Sequence, residues 1–112
     1  MEIKICINDF NVLMEYIRQR MMEVFSTERF HWEEKKVTVE GGFQRIQAFN
    51  ELYFVRSMTI EGSATIFSDN CITTYKKGDS ELLSRDFTGN IDIETSDPDI
   101  AQEFIFIQVK PL

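Results

Sequence analysis

The sequence predicts an α+β domain in which one amphipathic helix, at about residues 9–25, packs on a twisted, mainly antiparallel sheet of five to seven strands. Three observations carry this expectation. Ile3, Ile5 and Ile7 alternate with Glu2, Lys4 and Cys6, the period of a half-buried strand. From Phe10 the period changes, and Phe10, Leu13, Met14, Ile17, Met21, Val24 and Phe25 recur at helical spacing as one apolar stripe. Beyond Thr27 the chain consists of short alternating stretches punctuated by Gly41-Gly42, Glu61-Gly62, Asp69-Asn70 and Lys77-Gly78-Asp79, the composition of chain reversals.

Asn8 and Asp9 offer side-chain oxygens to cap the helix start. Glu15–Arg18 and Arg20–Glu23 are opposite charges three residues apart on its outer side, and Ser26-Thr27 marks its end. In residues 36–40, Val37 and Val39 oppose Lys36, Thr38 and Glu40, and Phe43 to Phe49 reads as the partner strand across the double glycine. Leu52 to Ile60 places Leu52, Phe54, Met58 and Ile60 on one face, interrupted by Arg56. Strands at 63–68 and 71–76 follow. Connections this short favour an antiparallel meander, because parallel neighbours need crossovers of about a dozen residues or more. Residues 79–90, with Leu82, Leu83 and Phe87 among polar residues, read as an ordered loop closed by Gly89-Asn90. Ile91 and Ile93 alternate with Asp92 and Glu94 in a short strand with an acidic outer face. Ser96-Asp97-Pro98-Asp99 has the cap, proline and acids of a helix start, leaving one or two turns before the strand Phe104 to Lys110, which Pro111 ends.

A strand, a helix and then a run of strands imply a sheet with the helical stripe against its apolar face. In element order alone the chain is similar to the cystatin and monellin type of architecture; a partly closed barrel is the other arrangement these elements allow. Neither settles function, which belongs to sites and not to folds.

The length of 112 residues fits a single domain, 1–112, and the 43% hydrophobic content, with ten Phe, fills one core without staples. No apolar run approaches the ~20 residues of a membrane span. Met1-Glu2-Ile3-Lys4 lacks the start of a secretion signal, so the chain reads as complete and cytoplasmic. Cys6 and Cys71 stand far apart and outside any metal or redox spacing, as free thiols do in a reducing compartment.

The charge is unevenly distributed. The 19 acids and 12 bases leave a net charge of −7, and one segment accounts for all of it: Asp79, Glu81, Asp86, Asp92, Glu94, Asp97, Asp99 and Glu103 are opposed there only by Arg85. A field of this sign repels nucleic-acid phosphates and anionic lipid and attracts cationic protein. These eight acids are the candidate partner-binding residues.

Catalytic signals are weak. His31 is the only histidine, nothing resembling a GxSxG turn accompanies the serines, and Phe30 and Trp32 read as packing over the helix end with His31 facing water. One His and two isolated Cys form no zinc set, and the acids lack the glycine and distal glutamate of a calcium loop. Gly41-Gly42 has no phosphate-loop lysine. No catalytic residue, metal or cofactor is expected. Tyr53, Tyr75 and Trp32 serve either cross-strand packing or partner contact.

The resulting expectation is a non-enzymatic acidic binding protein that docks and neutralises a basic partner such as a toxin or nuclease. In size and charge, though in no motif, it resembles toxin-immunity proteins and phage-encoded inhibitors. A self-associating assembly subunit is the second reading, and a small-ligand carrier or enzyme with a pocket between helix and sheet is the third.

Overall fold

The computed structural model describes residues 2–5, 10–77 and 85–112. The elements are β1 (Glu2–Ile5), α1 (Phe10–Phe25), β2 (Phe30–Val39), β3 (Phe43–Ile60), β4 (Ser63–Phe67), β5 (Ile72–Lys76), β6 (Asp86–Thr95) and β7 (Gln102–Pro111). One helix packs on an antiparallel sheet, an α+β fold. The helix follows its apolar period: Leu13, Ile17 and Met21, four residues apart, are its buried positions. Ser26 ends it with a left-handed φ of 56°, its N–H still donating to the Met22 carbonyl at 3.0 Å, a conformation that stops helix propagation. The expected cap at Asn8-Asp9, with Cys6 and Ile7, lies outside the described residues. Sixteen residues make a marginal helix alone. Burial of those three side chains, at about 1.5–3 kcal/mol each, helps to hold it on the sheet.

The strands pair in the order β2-β7-β3-β6-β4-β5, with β1 beside the end of β3. The sheet remains open, with β2 and β5 as its edges, so a barrel-like description is too loose. The expected meander is also incorrect: among the strands of this path only β4 and β5 pair with the next strand in the chain. β2 runs its whole length against β7, from Phe30 opposite Pro111 to Val39 opposite Gln102, and β3 takes the other edge of β7. The reason is legible in β7 itself, where Phe104, Phe106, Ile107 and Val109 are all fully buried. A strand apolar on both faces belongs inside a sheet, whatever its place in the chain.

Both faces of the sheet are used. Ala48, Tyr53, Val55, Met58 and Ile60 of β3 join Phe87, Ile91 and Ile93 of β6 and Phe104 and Phe106 of β7 in one core. Leu52 and Phe54, with Ile107 and Val109, meet α1 in the other. Leu52, Phe54, Met58 and Ile60 therefore do not share a face as the sequence suggested. The register with β7 shifts between Val55 and Ser57, and one extra residue in a strand moves every later side chain to the opposite face. Arg56 is that residue.

Three further boundaries differ from expectation. β2 begins at Phe30 instead of near Lys36, so His31 is on a strand. β6 begins at Asp86, inside the expected loop at 79–90, whose residues 79–84 lie outside the described residues. Gly89, read as the end of that loop, instead sits where β6 changes register against β3. Its φ is +74°, and the Asp69 carboxylate fills the space a Cβ would need, the usual reason for glycine within a strand. Finally, residues 96–100 form a turn, not a helix. The Asp97 Oδ1 accepts the Asp99 N–H at 2.9 Å, and this local bond satisfies the backbone without helical propagation.

Candidate functional site

The helix covers only part of the sheet's outer face. Its buried residues rest on β3 and β7. Because Ile91 and Ile93 point into the opposite core, Asp92 and Glu94 project on the helix side beyond the helix's reach. Cross-strand pairing there builds two rows. Phe43, Glu94, Thr65 and Thr74 form one, and Arg45, Asp92, Phe67 and Ile72 form the other. Phe43 is 46% exposed and Ile72 68%, high values for large apolar side chains flanking carboxylates.

The structure distributes the eight candidate acids as follows. Asp79 and Glu81 lie outside the described residues. Asp86 is buried, only 5% exposed, and receives Arg20 Nε at 2.7 Å and Nη2 at 3.0 Å in a two-pronged pair. Asp92 receives Arg45 through Nε at 2.6 Å and Nη2 at 3.0 Å, and these bonds hold its carboxyl below the usual range. Glu103 pairs with Lys36 at 3.1 Å. Glu94 and Asp99, exposed, and Asp97, half-buried, carry no ion pair among the described residues. They sit together at the β6–β7 turn, which the Thr95 N–H fastens to the Gly42 carbonyl of the β2–β3 turn at 3.0 Å.

A second polar group lies inside the sheet. Glu51, 7% exposed, falls in the irregular stretch of β3 after Asn50, whose φ is 57°. Gln108 Nε2 donates to Glu51 Oε2 at 2.6 Å, and Lys110 Nζ stands 3.8 Å from the same oxygen. Burial first, and then the Glu51 charge, push the Tyr53 hydroxyl up to about 12. A phenol whose folded pKa exceeds its unfolded value stabilises the fold below about pH 10, and that stabilisation disappears as pH rises through the folded value. Tyrosine ring resonances followed by NMR should show Tyr53 still protonated at pH 11. Glu51→Gln, which removes the neighbouring charge, should bring its midpoint down. A Tyr53 midpoint near 10 in the wild type would refute the assignment.

A cleft of about 320 Å³ opens between α1 and the start of β6, lined by Tyr16, Arg20, Asn70, Cys71, Arg85 and Asp86. Tyr16 and Arg20 are four residues apart and so share a helix face. The Asn70 amide donates to the Asp86 carbonyl at 2.7 Å, and its oxygen accepts the Thr88 N–H at 3.2 Å, which ties the β4–β5 turn to β6. Nothing in local sequence points to this cleft, since Arg20 and Asp86 are 66 positions apart. The exposure of Phe43 and Ile72 was equally hidden, because the apolar residues of a strand normally mark its covered side.

His31 is exposed on β2, while neighbouring Trp32 packs against Phe10 with ring centroids 5.3 Å apart. Cys71 is a half-buried free thiol. Among the described residues no group of three or more His, Cys, Asp or Glu is placed to hold a metal ion, and no helix is long and apolar enough to cross a membrane. The chain is thus defined by its architecture, a single helix on an open antiparallel sheet, one face of which is left partly uncovered by the described residues. Comparison with protein-family models, curated proteins and solved structures found no match.

Proposed function

We propose that the protein is a non-enzymatic binding module that docks a cationic protein surface on the sheet face that the described residues leave partly uncovered. The observation that carries this reading is the juxtaposition on that face of exposed Phe43 and Ile72 with Glu94 and the neighbouring Asp97 and Asp99. Apolar anchors supply most of the binding energy at protein interfaces. Carboxylates around them steer a basic partner, raise its association rate and reject acidic competitors. Because Arg45 already neutralises Asp92, the attraction falls to Glu94, Asp97 and Asp99, which have no ion pair among the described residues. A basic toxin or nuclease encountered in the cytoplasm is the kind of partner this surface fits. Such a partner, masked through its basic cleft, would be neutralised without any chemistry.

The test is capture from a lysate of the source cells on immobilised protein. Basic proteins should be retained and then released by about 0.5 M salt, where the screening length drops to a few ångströms. Glu94→Lys with Asp99→Lys should abolish retention. Glu15→Lys with Glu28→Lys, an equal change of charge on and just beyond the helix, should preserve it. Equal loss in both double variants, or retention unaffected by salt, would reject the docking face. The position of β5 at the end of the strand order among the described residues supports a second reading, self-association by edge pairing. A molar mass that rises with concentration in light scattering and is reversed by Thr74→Pro, which removes an N–H that faces away from β4, would favour it.

A further inference from the structure

The cleft beside α1 is separate from the docking face and has its own chemistry. Its floor is already committed. Two nitrogens of Arg20 hold the buried Asp86, and the third, Nη1, is taken by Glu23. Asn70 spends its amide on the Asp86 backbone and its oxygen on Ser68 and Thr88. What remains uncommitted is a pair of donors. Arg18, Arg20, Arg45 and Arg56 each hold a carboxylate, but Arg85 holds none among the described residues. It is nevertheless the only base in the most acidic segment of the chain, where a carboxylate partner is easiest to find. The Tyr16 hydroxyl likewise makes no hydrogen bond among the described residues, its ring being fixed edge-on against Phe54 at 5.7 Å. Both line the same 320 Å³ space.

We infer that this cleft binds the oxyanion group, carboxylate or phosphate, of a small ligand through the Arg85 guanidinium and the Tyr16 hydroxyl. A guanidinium that can only donate, beside a hydroxyl that can turn its O–H to the same group, favours an anion over a cation. A guanidinium presents its N–H groups in the fork that a carboxylate or phosphate accepts. Asp86 and Glu23 share the single charge of Arg20, so the floor keeps one negative charge in excess, which the Arg85 guanidinium offsets; the anion therefore depends on Arg85 for its attraction. Tyr16 is held by packing, so its hydroxyl loses little freedom on binding. The volume admits an oxyanion with a short organic remainder. The Cys71 thiol in the wall serves as a reporter of occupancy.

The inference is tested on the full chain with inorganic phosphate and, separately, malonate, each against sodium chloride of matched ionic strength. In two-dimensional NMR, either anion should shift the Arg85 side-chain Nε–H and the backbone amides of Tyr16, Asn70 and Cys71 saturably. In parallel, alkylation of Cys71 by iodoacetamide, read on its own peptide by mass spectrometry, should slow when the anion is present. Arg85→Ala, at an exposed position with no ion pair among the described residues, should weaken binding about tenfold or more, a loss of about 1.4 kcal/mol, and remove the protection of Cys71. Tyr16→Phe should weaken it less, and Arg18→Ala should leave it unchanged. A response to phosphate but not malonate, or the reverse, supports the cleft and identifies the oxyanion. Equal binding by Arg85→Ala, or shifts reproduced by chloride, would overturn the inference. Because neither Glu94 nor Asp99 lines the cleft, failure here leaves the docking face untouched, and the converse also holds.

Discussion

Phe106→Ala should lower the free energy of unfolding by about 3–5 kcal/mol, the cost of removing a buried phenylalanine when the site cannot collapse. The site cannot collapse here because Phe106 is fully buried on β7, between β2 and β3. Its ring stacks on Phe104 at 5.9 Å and meets Tyr53 edge-on at 5.7 Å. Each aromatic pair is worth about 0.5–1.5 kcal/mol beyond buried area, and the flanking strands are held apart by the remaining ladder. Since domains of this kind are stable by only about 5–15 kcal/mol, this one change would remove a large part of the total. Urea denaturation should show a much lower midpoint with an unchanged slope. Phe49→Ser is the comparison. Phe49 is 66% exposed, and its replacement should stay within about 0.5 kcal/mol. If Phe49→Ser proved as costly as Phe106→Ala, the assignment of the two sheet faces would be wrong.

Those two phenylalanines also show which features a sequence can reveal. Both lie in β-like alternation and look equally suited to a core. The helix was legible because Leu13, Ile17 and Met21 declare their face within one segment, and no other part of the chain is needed to interpret them. Strand order was not. It is decided between β7 and strands up to about eighty residues earlier, and the tight turns argued for neighbours pairing with neighbours. The one usable signal was the unbroken apolar run from Phe104 to Ile107, which marks a strand enclosed on both sides. The bulge at Arg56 was visible only as an interruption, and its effect on every later side chain of β3 depends on register with β7. The acids illustrate the same limit. Asp86, Asp92 and Glu94 are alike in sequence, yet one is buried on Arg20, one is held by Arg45, and one carries no ion pair among the described residues; the two pairings are made by residues 47 or more positions away.

The second large effect is expected at the pair that joins helix to sheet. Arg20→Met should cost about 3 kcal/mol or more, because it leaves the Asp86 carboxylate, whose side chain is 7% exposed, buried without its counter-ion. Breaking such a pair from one side is far more damaging than removing both charges. Arg20 itself is 27% exposed, so Asp86→Asn, which leaves a guanidinium that water and Glu23 can still reach, should be milder. The double variant should then be more stable than the sum of the two single losses predicts, by at least about 1 kcal/mol, the signature of directly coupled groups. Hydrogen exchange gives an independent readout. With the pair cut, amides of α1 should lose protection while those of β3 and β7 keep theirs, because Leu13, Ile17 and Met21 are then left to hold the helix alone. Strict additivity of the two substitutions would mean that the pair is incidental. The helix would then be held by its apolar stripe, and the floor of the oxyanion cleft would have no fixed geometry on which a ligand could depend.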